Sequence, residues 1–217
     1  MQIHHLSENN SILNHFLGQI RDMAIHNDSM RFRKNMERIG EIMAYELSKN
    51  LEYQDAAVTT PLGTKPTPYI KNSLVICCIL RAGLTLHNGF LNYFDTAENG
   101  FISAYRHHPN NDDFFEIIVQ YQAVADINNK TVVLVDPMLA TGQSIVAVYN
   151  RLMERGTPTE IHIAVVIAAP EGIAHLEAEL PDTCHLWIAS IDDRLNEHSY
   201  IVPGLGDAGD LAYGQKL

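Results

Sequence analysis

One stretch constrains this chain more than any other: Thr131 to Gly156, TVVLVDPMLATGQSIVAVYNRLMERG. Thr131–Val135 is an apolar, β-branched run between polar residues, the pattern of a strand buried on both faces. Ser144–Arg155 sets Ile145, Val148, Tyr149 and Leu152 on one helical face, and Gly156 is a natural helix stop. Between them lies a short loop, Asp136–Gly142. Strand, tight loop and helix form half of a βαβ unit, and the loop falls at the carboxyl end of a strand, where α/β sheets bind ligands.

The loop chemistry suits a phosphorylated sugar. A helix amino terminus leaves backbone N–H groups unpaired and carries partial positive charge. Thr141 and Ser144 add hydroxyl donors beside it, and Gly142 allows close backbone approach, which together make a phosphate cradle. Asp136 would repel a phosphate but can accept hydrogen bonds from two vicinal sugar hydroxyls. The same pattern also describes an ordinary βα turn, with aspartate as turn former and serine as helix cap.

The rest of the chain supports an α/β protein. Leu74–Leu80, Glu160–Ala169 and Cys184–Ala189 read as further buried strands, and their alternation with helical patterns favours a mostly parallel, doubly wound sheet flanked by helices. Phe101–Tyr105 and Phe114–Tyr121, joined by the polar loop RHHPNNDD, suggest an antiparallel β-hairpin arm. Ser11–Ile25 and Ser29–Leu47 read as amphipathic helices, each with serine as a cap, and Leu51–Asn72 as a loop with a short strand near Ala57–Thr60. RFRKNMER in the second helix reads as a solvated basic face. Arg81, directly after a buried strand, belongs at the ligand edge of the sheet; its fork of donors suits phosphate oxygens, although a salt bridge would serve equally.

With 217 residues, 46% hydrophobic and 19% charged, the chain is expected to form one globular domain. Its net charge of −11 argues against general nucleic-acid binding or an anionic membrane surface, both of which need a basic footprint. A local cradle can still oppose that field and take an anionic substrate. Cys77, Cys78 and Cys184 lie in apolar runs and read as reduced core residues. His107 and His108 invite a metal reading, but neighbours on a strand face opposite ways, so no metal ligand set is assigned. No signal peptide is evident and no apolar run approaches the ~20 residues of a membrane span, so a cytoplasmic protein is expected. Asn196–Asp210, NEHSYIVPGLGDAGD, is too rich in glycine and proline for a long helix. It reads either as an irregular loop or as a base pocket, whose main chain, brought close by the glycines, can match a pattern of donors and acceptors.

The motifs themselves carry a resemblance. DPMLATGQS resembles the phosphoribosyl pyrophosphate (PRPP) loop of type I phosphoribosyltransferases, and in detail that of the uracil phosphoribosyltransferases, with Gln143 where that family usually has a second glycine. ILRAGL, AAPEGI, ASID and HSYIVPGLGDAGD resemble the same family at corresponding places, from about Arg31 onward. Thr85-Leu86 and the final AYGQKL depart from it, as does the hairpin loop.

By resemblance, the chain is a single domain, 1–217, with N-terminal helices in 11–49, a core in 74–190 and a uracil-binding hood in 191–217. The implied reaction is uracil plus PRPP to UMP and pyrophosphate. PRPP would be bound by Arg81, Arg106, Asp207 and the loop Asp136, Pro137, Met138, Leu139, Ala140, Thr141, Gly142, Gln143 and Ser144. Uracil would contact Ile201, Gly206, Asp207 and Ala208. Arg81, Arg106 and Asp207 are the candidate catalytic residues, with Asp207 nearest to serving as a base for N1. The resemblance further implies Mg²⁺ bound with PRPP, a GTP effector, and a homodimer or homotetramer. Two alternatives share the motifs: a paralogue with altered or lost activity, and a pyrimidine-responsive regulatory protein.

Overall fold

The computed structural model describes residues 1–107 and 116–216. Its elements run β1 (Gln2–His5), a 3₁₀ turn (Leu6–Glu8), α1 (Ile12–Arg21), α2 (Ser29–Ser48), β2 (Tyr53–Thr60), β3 (Gly63–Ile70), β4 (Leu74–Leu80), α3 (Gly83–Leu91) and β5 (Glu98–His107). They continue with β6 (Glu116–Val124), β7 (Thr131–Val135), β8 (Met138–Leu139), α4 (Gln143–Met153), β9 (Glu160–Ala168), α5 (Pro170–Glu179), β10 (Cys184–Ile191), β11 (Arg194–Leu195), β12 (Ile201–Val202) and α6 (Ala208–Tyr213).

The main sheet has the order β1-β10-β9-β7-β4-β5-β6, with β8 added beside β9. Every pairing in it is parallel except β5 with β6. The apolar runs of β4, β7 and β9 explain their central places, because strands covered on both faces must be apolar throughout. Alternate residues feed two layers. Ile76, Cys78, Val133, Val135 and Trp187 pack with Leu13, Met36, Ile39 and Phe90 from α1, α2 and α3. Val75, Cys77, Val132, Leu134 and Ile163 pack with Ile145, Val148 and Leu176 from α4 and α5. All three cysteines are free and buried, and burial pushes the Cys77 and Cys78 thiols up to about 12.

The structure corrects several expectations. α1 ends at Arg21 rather than Ile25, and Asp28, not a serine, caps α2 by accepting from Arg31 N at 3.1 Å. The expected loop over Leu51–Asn72 is instead an exposed hairpin, β2 with β3, whose proline-rich second strand hid its extended character. β1 carries too few residues for a periodicity to show, yet it pairs with β10 along Gln2–His5 and stacks His4 on Trp187 with ring centroids 3.8 Å apart. The sheet therefore draws on residues outside the 74–190 core span. Within RFRKNMER, the basic face is only partly solvated: Arg33 donates to Ala212 O at 2.7 Å and Asn35 is fully buried. Residues 108–115 of the expected hairpin, His108 included, lie outside the described residues.

Two helices cross at glycines. A Cβ on Gly89 would stand 2.1 Å from Glu37 O, so α3 touches the backbone of α2 there. Gly89→Ala is expected to lower stability by about 1–3 kcal/mol through overpacking. Gly18→Ala, in α1 with nothing within 4 Å of the new Cβ, should raise it by up to about 1 kcal/mol through helix propensity. Urea unfolding midpoints of the two variants check both signs.

Candidate active site

The parallel register decides which residues meet. Cys78 of β4 pairs with Val135 of β7, and Leu80 of β4 with Ser103 of β5. Arg81 and Asp136 therefore leave adjacent strands at the same carboxyl edge, and β5 carries the Arg106 backbone beyond that edge opposite Ile117. The Arg106 side chain lies outside the described residues. The Leu80–Arg81 peptide is cis.

The loop after β7 is stitched to the sheet by its backbone. Asp136 N donates to Ala164 O at 3.1 Å, Pro137 O accepts from Val166 N and Ile167 N at 3.0 Å each, and Leu139 O accepts from Ala169 N at 2.9 Å. Met138 and Leu139 so form β8, a strand hidden from sequence reasoning inside a motif read as loop. Gly142 takes φ +82, which glycine adopts readily, and no side chain caps α4. Its first-turn N–H groups can therefore meet an anion. Gln143 is the exposed first residue of α4, with negative φ. On the far side, a Cβ on Gly172 would lie 2.2 Å from Ala140 O, so α5 braces the loop directly.

Asp136 is partly buried and accepts one hydrogen bond, from Met138 N at 3.3 Å. Desolvation pushes its carboxyl up to about 7, only partly offset by that bond. Arg81 donates through Nη2 to Asp210 at 3.0 Å and through Nη1 to Gly214 O at 3.3 Å, while its buried Nε has no partner among the described residues.

The hood assembles beside this edge. Asp207 caps α6 by accepting from Asp210 N at 2.9 Å, and Ile201 and Ala208 are buried at its base. Gly206 has φ +96, so a side chain there would be strained. A residue that sequence reasoning missed anchors the whole segment. Arg21 grips Asp192 with both terminal nitrogens, and also donates to Gly204 O at 2.9 Å and Ser190 Oγ at 3.1 Å. Asp192 in turn accepts from Gly204 N at 2.9 Å. The only sequence sign was an arginine within an expected amphipathic helix.

Arg81, Asp136, Met138, Ser144, Asp207 and Ala208 line one cleft of about 170 Å³. It shares Asp136, Met138 and Ser144 with a smaller hollow of about 50 Å³ inside the loop, lined also by Leu139, Ala140, Thr141 and Gly142. Ile201 and Gly206 do not line either cleft. A larger hollow of about 690 Å³ lies between the β2–β3 hairpin and the starts of β4 and β5. It sits at the amino ends of the strands, away from the α4 helix start.

A helix-start cradle and an arginine facing each other across the carboxyl edge of a parallel sheet, under a C-terminal hood, define a type I phosphoribosyltransferase fold. A family model described as uracil phosphoribosyltransferase matches residues 7–215, and the chain belongs to that family. A relative named uracil phosphoribosyltransferase from Porphyromonas gingivalis is 49% identical over 100% of both chains. One of that name from Methanococcus maripaludis is 39% identical, covering 88% of this chain and 82% of its own. The solved AQ2163 protein from Aquifex aeolicus superposes with a TM-score of 0.87 at 29% identity, over 98% of each chain.

The raised Asp136 carboxyl has a consequence for stability. Its native pKa lies above the unfolded value near 3.8, so its contribution favours folding fully below about pH 4 and is lost as pH rises through 7. Asp136→Asn is therefore expected to be more stable than wild type at pH 8, by on the order of 2–4 kcal/mol, with the difference fading towards pH 4. Thermal unfolding of the ligand-free proteins at both pH values checks this.

Proposed function

We propose that this chain transfers the 5-phosphoribosyl group of PRPP to N1 of uracil, forming UMP and pyrophosphate in pyrimidine salvage. The observation that carries the reading is the convergence of Arg81, the Asp136–Ser144 loop and Asp207 on one cleft, in a chain of this family. The C1′–O bond to pyrophosphate breaks, the C1′–N1 bond forms, and the N1 proton leaves. The anomeric carbon takes on oxocarbenium character, as in glycosyl transfer generally. Positioning and charge stabilisation then supply most of the acceleration.

The first-turn N–H groups of α4, with Thr141 and Ser144, hold the 5′-phosphate. Asp136 accepts from the ribose hydroxyls, and Arg81 and Arg106 take the pyrophosphate charge. The backbone around Ile201, Gly206, Asp207 and Ala208 reads uracil, and Asp207 also reaches the PRPP side. Mg²⁺ fits this arrangement. Two carboxylates and a hydroxyl share the cleft, while the described residues hold no cluster of three or more metal-ligating side chains. That suits an ion bound chiefly through substrate phosphates. Asp136 and Asp207 would hold it, and when bound it offsets phosphate charge. The family resemblance extends the proposal to a homodimer or homotetramer, a GTP effector and a cytoplasmic location; among the described residues no helix is long and apolar enough to cross a membrane. The regulatory alternative is not favoured, since the curated relatives are named as transferases.

The decisive experiment incubates wild type with radiolabelled uracil, PRPP and Mg²⁺ and measures UMP; no UMP would refute the proposal. Arg81→Ala should lower PRPP use at least about tenfold, as expected for loss of charge-assisted bonds. Gln143→Gly should change it less than about threefold, because the cradle is backbone. 5-Fluorouracil should react and cytosine should not, since cytosine reverses donor and acceptor at N3 and position 4 and leaves buried groups unpaired. Product analysis by chromatography reads both.

A further inference from the structure

The segment after α6 folds back over the cleft. Gly214 takes φ +85 and ψ 159, a region open essentially only to glycine. Its N–H donates to Asp210 O at 2.8 Å and its carbonyl accepts from Arg81 Nη1 at 3.3 Å. Two residues on, Lys216 lines the same cleft as Arg81, Asp136, Ser144 and Asp207.

Charge balance gives that placement a meaning. Among the described side chains lining the cleft, two are cations, Arg81 and Lys216, and two are carboxylates, Asp136 and Asp207. Arg81 already shares its charge with Asp210. PRPP brings several negative charges into a chain whose net charge is −11. With the Arg81 guanidinium half-committed to a carboxylate, part of that charge is left for other cations to offset. Lys216 is exposed and has no ion-pair partner among the described residues. Its compact charge on a flexible stem can follow a leaving group that moves as its bond breaks, which a fixed fork does less well.

We infer that Lys216 is a substrate-binding residue of this site: a further cation that holds the pyrophosphate group of PRPP together with Arg81 and Arg106, with the Gly214 turn and the Arg81–Asp210 pair setting its place. The inference rests on the reading of the cleft as a PRPP site. It assigns a binding role to a segment in which the chain departs from the usual family ending.

The test compares wild type, Lys216→Gln and Lys216→Arg by calorimetric titration with inorganic pyrophosphate and Mg²⁺, and by steady-state kinetics in PRPP and uracil. Lys216→Gln is expected to weaken pyrophosphate binding and raise KM for PRPP by about three- to tenfold, the range for an exposed charge on an anion. KM for uracil should change less than about twofold, Lys216→Arg should restore most of the loss, and the gap should shrink at 1 M salt, where the screening length is about 3 Å. Unchanged pyrophosphate affinity and PRPP KM in Lys216→Gln, with an active wild type, would overturn the inference alone. A fall in kcat with neither of those changed would do the same, by making the segment a structural support. A wild type that forms no UMP and binds no pyrophosphate would overturn the phosphoribosyltransferase reading and this inference together.

Discussion

The pair between Arg21 and Asp192 holds together parts of the chain that nothing in the sheet itself would join. The Asp192 carboxylate is buried, and a buried ionised group is tolerated only when paired and hydrogen-bonded. Here the partner comes from α1, and the remaining valences go to Gly204 within the hood and to Ser190 near the end of β10. One ion pair thus ties together the end of the last sheet strand, the first helix and the middle of the hood. Removing one member of such a pair strands the other charge, which costs about 3–5 kcal/mol. The position of Asp207 and Ala208 over the cleft follows from that anchor through the short β11–β12 ribbon.

Charge explains how an acidic chain can take an acidic substrate. The favourable terms at the cleft are local: unpaired N–H groups of α4, an arginine at the strand edge and a lysine beyond Gly214. Among the unfavourable ones is Asp136 above all, where burial raises the cost of the charge and pushes the carboxyl up to about 7. The overall field and the local site are therefore separate quantities. The first bears on what the whole surface attracts, and the second on what the cleft retains.

Much of the architecture was legible because its causes are local. The buried strands β4, β7 and β9 announce themselves as apolar runs, and α4 by its periodicity. The cradle is visible from residue types alone, since strand, loop and helix start are consecutive. What escaped sequence reading depends on partners distant in the chain. β1 is a strand only because β10 is there to receive it. β2 and β3 pair with each other across prolines that argue locally for a loop. Arg21 has meaning only once Asp192 is beside it, and Lys216 only once Gly214 has turned the chain. Arg81 is the intermediate case: its place at the sheet edge was readable, but its engagement with Asp210 was not. For the hood, four residues were expected at the base. Asp207 and Ala208 line the cleft, whereas Ile201 and Gly206 do not.

The outermost pairing of the sheet joins Gln2 to His185. A ribosome delivers β1 long before β10, so the early strand waits through most of translation with its edge unsatisfied. Met1–Glu8 is short and carries two adjacent histidines and an acid, features that keep an unpaired edge from recruiting other chains. The sheet is completed on that side only when β10 has been made and docked. Closure of this edge is therefore a late event in biosynthesis, and it coincides with the stage at which the hood residues that follow β10 first become available.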